Sequence, residues 1–141
     1  MPAMLRPYAA LACLCLLVTS CADTGACTEI DCTNEAVVTF PGGLVSGPYT
    51  LTLSNGSESE SFACNDPDTV TDLPPEIECN SGGFELFDSP FGLRSSVTVT
   101  ITDPDENLLA GPTNVVLQAV ETVQPNGPDC EPTCVIRNGR L

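Results

Sequence analysis

The chain lacks histidine and lysine, and only four of its 141 residues are arginine. Without these residues the chain cannot form a Ser-His-Asp triad, a Cys-His pair or a lysine nucleophile. The commonest mechanisms of enzymatic hydrolysis are therefore excluded. We therefore expect no catalytic residue and no cofactor-binding residue.

Negative charge is abundant where positive charge is scarce. Beyond residue 20, three arginines stand against 19 aspartates and glutamates, which gives a formal net charge of −16. Such a surface repels phosphate backbones and anionic lipid headgroups. We expect no nucleic-acid partner, and any attachment to a membrane must come from a covalent lipid.

Tryptophan is absent and methionine occurs twice, whereas 13 prolines and 11 glycines interrupt the chain. This composition favours strands and turns over helices. The hydrophobic content of 42% is compatible with a packed core, and the length suits one domain.

Residues 1–20 have the composition of a signal peptide. The apolar run Leu11–Val18 is too short to span a bilayer, and Arg6 is the only charge before it. The sequence VTSC that ends at Cys21 resembles the lipobox of bacterial lipoprotein precursors. That resemblance implies a diacylglycerol on the Cys21 sulfur and cleavage just before it. The alternatives are an ordinary secretory signal that is cleaved after Ala22 or Ala26, and an uncleaved membrane anchor.

The cysteine count supports export. Cys13 and Cys15 leave with the signal and Cys21 takes the lipid, so six of nine cysteines remain. An even number can pair without an orphan thiol in an oxidising compartment. The six are Cys27, Cys32, Cys64, Cys79, Cys130 and Cys134.

Two of these cysteines, Cys64 and Cys79, end predicted strands, and we expect a bridge between them. The other four form two short pairs, near residues 27–32 and 130–134, which can bridge locally or across; we favour crossed bridges. Zinc or redox chemistry fits less well, because the spacings are not those of a zinc ribbon and acids and proline surround the last pair. We expect no metal site.

Alternation of apolar and polar residues predicts antiparallel strands over 36–40, 49–53 and 97–102. Further strands are expected over 59–64, 76–79 and 84–87. Asn55 and Gly56 predict a tight hairpin turn through positive φ angles. The segment Asn114–Val123 could form a helical face, but its β-branched residues favour one strand.

About seven such strands predict an all-β fold, an immunoglobulin-like antiparallel β-sandwich held by disulfides, with a small open barrel as the alternative. The expected divisions are a signal peptide (1–20), the lipidated cysteine with its tether and first cysteine pair (21–34), the sandwich (35–124), and an irregular cysteine-containing tail (125–141).

Two kinds of acidic motif could carry chemistry. Glu58 with Glu60, and Glu76 with Glu78, are i, i+2 pairs on predicted strands and are conceivable as glycosidase carboxylates, although a solvated strand face explains them better. Asp103, Asp105 and Asn107 have the opening spacing of a calcium loop, but Leu108 and Asn114 occupy the positions of its glycine and closing glutamate. A turn explains these residues and the similar Asn65–Asp68.

The lipobox, the opening CTEIDCT, the segment GPYTLTLSNG and the closing PNGPDCEPTC together resemble small cysteine-bearing lipoproteins of predatory, gliding Gram-negative bacteria. The resemblance implies a β-sandwich on a lipid anchor at Cys21 and implies no activity. Ala22 after the lipidated cysteine suggests sorting to the outer membrane.

From the sequence we therefore expect a non-enzymatic lipoprotein of the outer membrane or cell surface with an interaction or surface-structural role. Its membrane contact is the lipid, and its protein or glycan partner is unknown. A calcium-dependent adhesion module and a small exported carboxylate-dependent hydrolase are the alternatives.

Overall fold

The computed structural model describes residues 27–68 and 73–141, and the expected signal peptide and Cys21 lie outside them. Within these ranges the fold is all-β, with nine strands and no helix. The strands are β1 (Glu35–Thr39), β2 (Tyr49–Ser54), β3 (Ser59–Cys64), β4 (Ile77–Asn80), β5 (Gly83–Phe87), β6 (Ser96–Thr102), β7 (Leu108–Val116), β8 (Gln118–Val123) and β9 (Cys134–Arg140).

The strands form two sheets. The five-stranded sheet has the order β4-β5-β1-β9-β8, and the four-stranded sheet has the order β3-β2-β6-β7. Neighbouring strands are antiparallel, except that β1 and β9 run parallel. The expected all-β, sandwich-like architecture is confirmed at this level.

The core lies between the sheets and follows the alternation seen in the sequence. On β2, Leu51 and Leu53 are fully buried, whereas Thr50 and Thr52 are partly exposed. β6 has the same pattern, and the inward residues of both sheets form one apolar cluster. Each fully buried leucine contributes about 2 kcal/mol to folding, so the inward-facing register of these strands is strongly specified.

The hairpin between β2 and β3 forms at the predicted place by a partly different mechanism. Gly56 has a positive φ of 93°, but Asn55 does not adopt one. Instead the Asn55 Oδ1 atom accepts hydrogen bonds from the backbone N–H groups of Ser57 at 3.3 Å and Glu58 at 3.0 Å. Asparagine therefore stabilises the turn through its side chain.

The prediction of one strand over Asn114–Val123 is wrong. The segment belongs to both sheets, because β7 ends at Val116 and β8 begins at Gln118 in the other sheet. Leu117 joins the two strands; its side chain is buried and its N–H donates to the Ser95 carbonyl at 2.8 Å. A run of β-branched residues favours extended backbone throughout, so it does not reveal where the chain changes sheet.

The prediction of an irregular tail over 125–141 is also wrong. Its last part is β9, which lies between β1 and β8, so the sandwich extends to Arg140. This strand lacks a clear apolar alternation, since its second half consists of Arg137, Asn138, Gly139 and Arg140. Backbone pairing on both sides stabilises it instead. With the divided segment, β9 raises the strand count above the expected seven.

Gly139 is needed where β9 passes the junction of β7 and β8. A Cβ atom at this position would lie 2.7 Å from the Val115 Cγ1 atom and 2.9 Å from the Leu117 Cδ2 atom. Both neighbours are buried and have little room to move. A glycine that is unfavourable in strands by propensity is thus required here by packing.

Three disulfides join the six cysteines of the described chain. Cys64–Cys79 links the edge strands β3 and β4, which belong to different sheets. Cys27–Cys130 and Cys32–Cys134 are the crossed bridges favoured above, with sequence separations of 103 and 102. The start and the end of the described chain are therefore held side by side.

The crossed bridges should be partly redundant. If Cys27 and Cys130 are replaced by serine, Cys32–Cys134 still closes the long loop, and we expect a loss of about 2.7 kcal/mol in the free energy of unfolding. Removing both bridges releases the long loop as well, and the loss should reach about 7 kcal/mol, comparable to the whole stability of many domains.

Urea unfolding tests this redundancy by comparing the variant without Cys27–Cys130 with the variant that lacks both crossed bridges. The control is Cys64→Ser/Cys79→Ser, for which we expect a loss of about 3 kcal/mol. If removing both crossed bridges lowers the free energy of unfolding by no more than twice the effect of removing one, the two bridges do not close the same long loop and the prediction is wrong.

Candidate functional site

The Asn126 side chain holds the N-terminal segment against the connection between β8 and β9. Its Oδ1 atom accepts hydrogen bonds from the Thr28 hydroxyl at 2.7 Å and the Ile30 N–H at 2.9 Å. Its Nδ2 atom donates to the carbonyls of Ile30 at 2.9 Å and Glu131 at 2.7 Å. One amide thus satisfies both backbone polar groups of Ile30, as a neighbouring strand would.

We name residues 27–34 and 124–134 together the clasp. A second asparagine fixes its junction with the sandwich. The Asn34 Oδ1 atom accepts from the Val135 N–H at 3.0 Å, while the Asn34 backbone and side-chain N–H groups donate to Asp88 Oδ1 at 2.9 and 3.0 Å. Hydrogen bonds therefore attach the clasp to Asp88, directly after β5, and to Val135 of β9, in addition to the bridges.

The clasp is acidic. Its two segments contain no basic residue, and four exposed carboxylates lie on them: Glu29, Asp31, Asp129 and Glu131. This part of the surface attracts cations and repels anionic groups.

The outer face of the four-stranded sheet is uncharged and carries hydroxyl groups. Ser61, Thr52 and Thr100 form one row across β3, β2 and β6, and the first two share a hydrogen bond of 2.8 Å. None of the outward positions on these three strands bears a charge. This face therefore contrasts with the acidic surface elsewhere.

The outer face of the five-stranded sheet carries carboxylates. Glu78 lies directly opposite Glu85, and Glu35 and Glu121 both flank Ile136. Like charges directly opposite on adjacent strands are destabilising. The glutamates therefore do not stabilise the sheet, and they give its outer face a negative charge.

The two carboxylate pairs proposed from the sequence do not lie in a shared cleft. Glu58 belongs to the β2–β3 turn, where its Oε2 atom accepts a hydrogen bond from Asn55 Nδ2 at 2.9 Å. Glu76 precedes β4, and Glu78 is exposed on that strand. A concavity of about 380 Å³ adjoins Glu78, and Glu78 is the one carboxylate among the described residues that line it, which are Leu73, Pro74, Pro75, Ile77, Glu78 and Cys79.

The residues Asp103–Asn107 form a closed turn between β6 and β7. The Asp103 Oδ1 atom accepts from the N–H groups of Asp105 at 2.9 Å and Asn107 at 2.8 Å, and its Oδ2 atom accepts from Asn107 Nδ2 at 2.9 Å. The Asn107 side-chain hydrogen bond is the main cause that lowers the pKa of Asp103. Both carboxylate oxygens thus stabilise the turn.

The similar motif at Asn65–Asp68 also has internal hydrogen bonds. Asn65 adopts a positive φ of 55° and its Nδ2 atom donates to the Gly47 carbonyl at 3.0 Å, while Asp66 Oδ1 accepts from the Asp68 N–H at 3.0 Å. No group of three or more potential metal ligands occurs in residues 27–68 and 73–141.

Two polar groups inside the sandwich, the Tyr49 hydroxyl and the Arg137 Nη1 atom, have environments that were not predicted from the sequence. The Tyr49 hydroxyl donates to the Asn80 carbonyl at 2.8 Å, and burial raises the pKa of this phenol. Arg137 lies beside Ala36, whose side chain is in the core, and its Nη1 atom is buried without a hydrogen-bond partner in the described residues. Tyr49 joins the two sheets, whereas Arg137 retains an uncompensated desolvation cost.

No protein-family model, curated protein or solved structure matches the chain. Among the described residues, no helix is long and apolar enough to cross a membrane. Function is therefore inferred from the residues and their geometry.

The Asp103 turn should respond to pH in a defined direction. Because the folded pKa lies below the ordinary value near 4, the turn stabilises the fold above about pH 4 and loses this contribution as the pH falls through the lowered pKa. NMR titration of the Asp103 carboxyl carbon measures it. In Asn107→Ala the main hydrogen bond is lost and the pKa should rise; an unchanged titration would contradict the assignment.

Replacing Arg137 by methionine should stabilise the protein. The change removes a buried N–H group without a partner and keeps much of the side-chain volume, so the free energy of unfolding should rise by about 1 kcal/mol. Arg140→Met is the matched control, because Arg140 is exposed on the same strand and should change stability by less than about 0.5 kcal/mol. Destabilisation by Arg137→Met alone would indicate that the guanidinium has a partner.

Proposed function

We propose that the protein is a lipid-anchored envelope lipoprotein with a non-enzymatic interaction or surface-structural role. The observation that carries the proposal is the set of three disulfides, which joins all six cysteines of the described chain. Disulfides of this number indicate an oxidising, exported environment. Cys21 then has no cysteine left to bridge with once Cys13 and Cys15 depart with a signal peptide.

The spacing between Cys21 and the clasp supports an anchor. Cys27 is the first bridged cysteine, and the five residues between it and Cys21 extend at most about 17 Å. A lipid on Cys21 would hold the clasp close to the bilayer. The acidic clasp would repel anionic headgroups, so the lipid is the only attractive contact that the sequence offers. Ala22 supports sorting to the outer membrane.

A non-enzymatic role is supported by the chemistry of the side chains. Histidine and lysine are absent from the whole sequence. Among the described residues that line the concavity beside Glu78, there is no second carboxylate. Hydrolysis of the glycosidase type needs two carboxylates that flank one bond of the substrate. The two outer faces and the sheet edges, by contrast, offer binding surface.

We also propose that the sandwich is immunoglobulin-like in the broad sense of two packed, mainly antiparallel sheets. The two-sheet arrangement supports this. The strand order departs from the immunoglobulin order, in which the first, second, fifth and fourth strands form one sheet and the third, sixth and seventh form the other. The likeness therefore concerns architecture and not topology.

Mass spectrometry of the mature protein extracted from membranes tests the anchor. We expect an N-terminal Cys21 that carries diacylglycerol, and Cys21→Ser should abolish both the lipid and membrane association. Cys15→Ser, which changes a cysteine inside the expected signal peptide, should leave both unchanged. A mature N-terminus at another residue, without acyl mass, would refute the anchor.

A further inference from the structure

The strand β8 (Gln118–Val123) is an open edge of the five-stranded sheet. It pairs with β9 on one side, and no described residue forms a backbone ladder on its other side. Its first five residues are exposed, and the last is half-buried. Alternate backbone N–H and C=O groups of β8 therefore face solvent and can pair with an added strand.

The other three edges of the described sheets are less suitable. β7 contains Pro112 and two irregularities in its register, and β4 has only four residues. β3 ends at the Cys64–Cys79 bridge and exposes no large apolar side chain. These are the features that protect sheet edges from pairing. β8 has no proline, although it has a bulge at Val120.

The side chains of β8 indicate the kind of partner. Val120 is 56% exposed and Ala119 is exposed next to it, so an added strand could bury apolar surface there. Glu121 lies on the same strand, and the acidic clasp begins directly after its end at residue 124. Charge complementarity therefore favours a cationic partner.

The same charge disfavours pairing of β8 with a second copy of the chain. Each copy beyond residue 20 has a formal net charge of −16, and pairing of two β8 edges would bring Glu121 of both copies into the contact. Self-repulsion of this size opposes association at low ionic strength.

We propose that β8 binds an extended, lysine- or arginine-bearing segment of another protein as a sixth strand of the five-stranded sheet. Main-chain hydrogen bonds supply affinity, and the alternate side chains meet Val120 and the nearby carboxylates. This inference rests on the interaction role proposed above and specifies its surface and the chemistry of its partner.

Hydrogen exchange and calorimetry on the mature, disulfide-intact protein test the proposal. The probe is a peptide that alternates lysine and valine and covers the six residues of β8. We expect one peptide to bind per protein, to slow amide exchange in β8, and to bind less tightly as salt is added. Control peptides have glutamate in place of lysine, or keep the lysines and have proline in place of valine; neither should bind.

Two matched variants locate the site. Val120→Lys should weaken binding at least about tenfold, because it removes the apolar contact with the valines of the added strand and adds a positive charge to an edge that binds a cationic peptide. Val116→Lys has the same change of charge at a residue of equal type and 57% exposure on the other sheet, and it should change affinity less than about twofold. Unchanged unfolding curves show that both variants are folded.

Several results would overturn the proposal. Equal binding of the proline-containing peptide would show that binding is long-range electrostatic attraction without strand pairing. Slowed amide exchange confined to β3 or to the hydroxyl-bearing outer face would place the contact elsewhere. Concentration-dependent self-association lost in Val120→Lys would assign the edge to a second copy. Absence of peptide binding would refute the β8 site alone, whereas cross-linking in cells that finds no partner for any surface would refute the interaction role itself.

Discussion

The parallel pairing of β1 and β9, locked by the two crossed disulfides, is the constraint on which the rest of the structure depends. β1 is the first strand of the described chain and β9 is its last, and both are central in the five-stranded sheet. Closing a loop of this length is costly in conformational entropy, since it excludes most arrangements of the intervening residues. The bridges impose much of that restriction already on the unfolded chain.

This closure determines where the remaining elements can lie. β5 and β4 extend the sheet on the β1 side, and β8 extends it on the β9 side. The four-stranded sheet then covers the inner face, with Leu51, Leu53 and Ile101 in the shared core. Because β9 is weakly specified by its own side chains, the hydrogen bond from the Val135 N–H to Asn34 Oδ1 and the bridge at Cys134 fix its register.

Most strands could be predicted because their burial is one-sided. Leu51, Leu53, Val97 and Val99 alternate with polar residues, and that alternation is a direct consequence of having one face in a core and one in water. β9 could not be found in this way, because its second half contains Arg137, Asn138 and Gly139 and its stability comes from pairing with β1 and β8.

The change of sheet at Leu117 was hidden for a related reason. Extended backbone continues on both sides of it, and only the contacts with Ser95 and Gly139 mark the junction. Those contacts join residues far apart in sequence.

The candidate site also contains some features that local sequence predicts and others that depend on contacts between distant residues. The acidic turn at Asp103 could be recognised from local spacing, because all of its hydrogen bonds lie within five residues. The clasp could not, since Asn126 reaches Thr28 and Ile30 across 98 and 96 positions of sequence. Cysteine parity gave the number of bridges but left the crossing open. An open edge such as β8 becomes visible only when the strand order is known.

The outermost bridge also has a mechanical consequence. If the chain is held at Cys21 while a bound protein pulls on β8, the shortest covalent route between the two points passes from Cys27 through its sulfur to Cys130 and along residues 124–130. Strands β1 to β7 and β9 lie off that route. Tension between a membrane and a partner would therefore bypass most of the hydrophobic core, and the sandwich could transmit load while eight of its nine strands lie outside the covalent path.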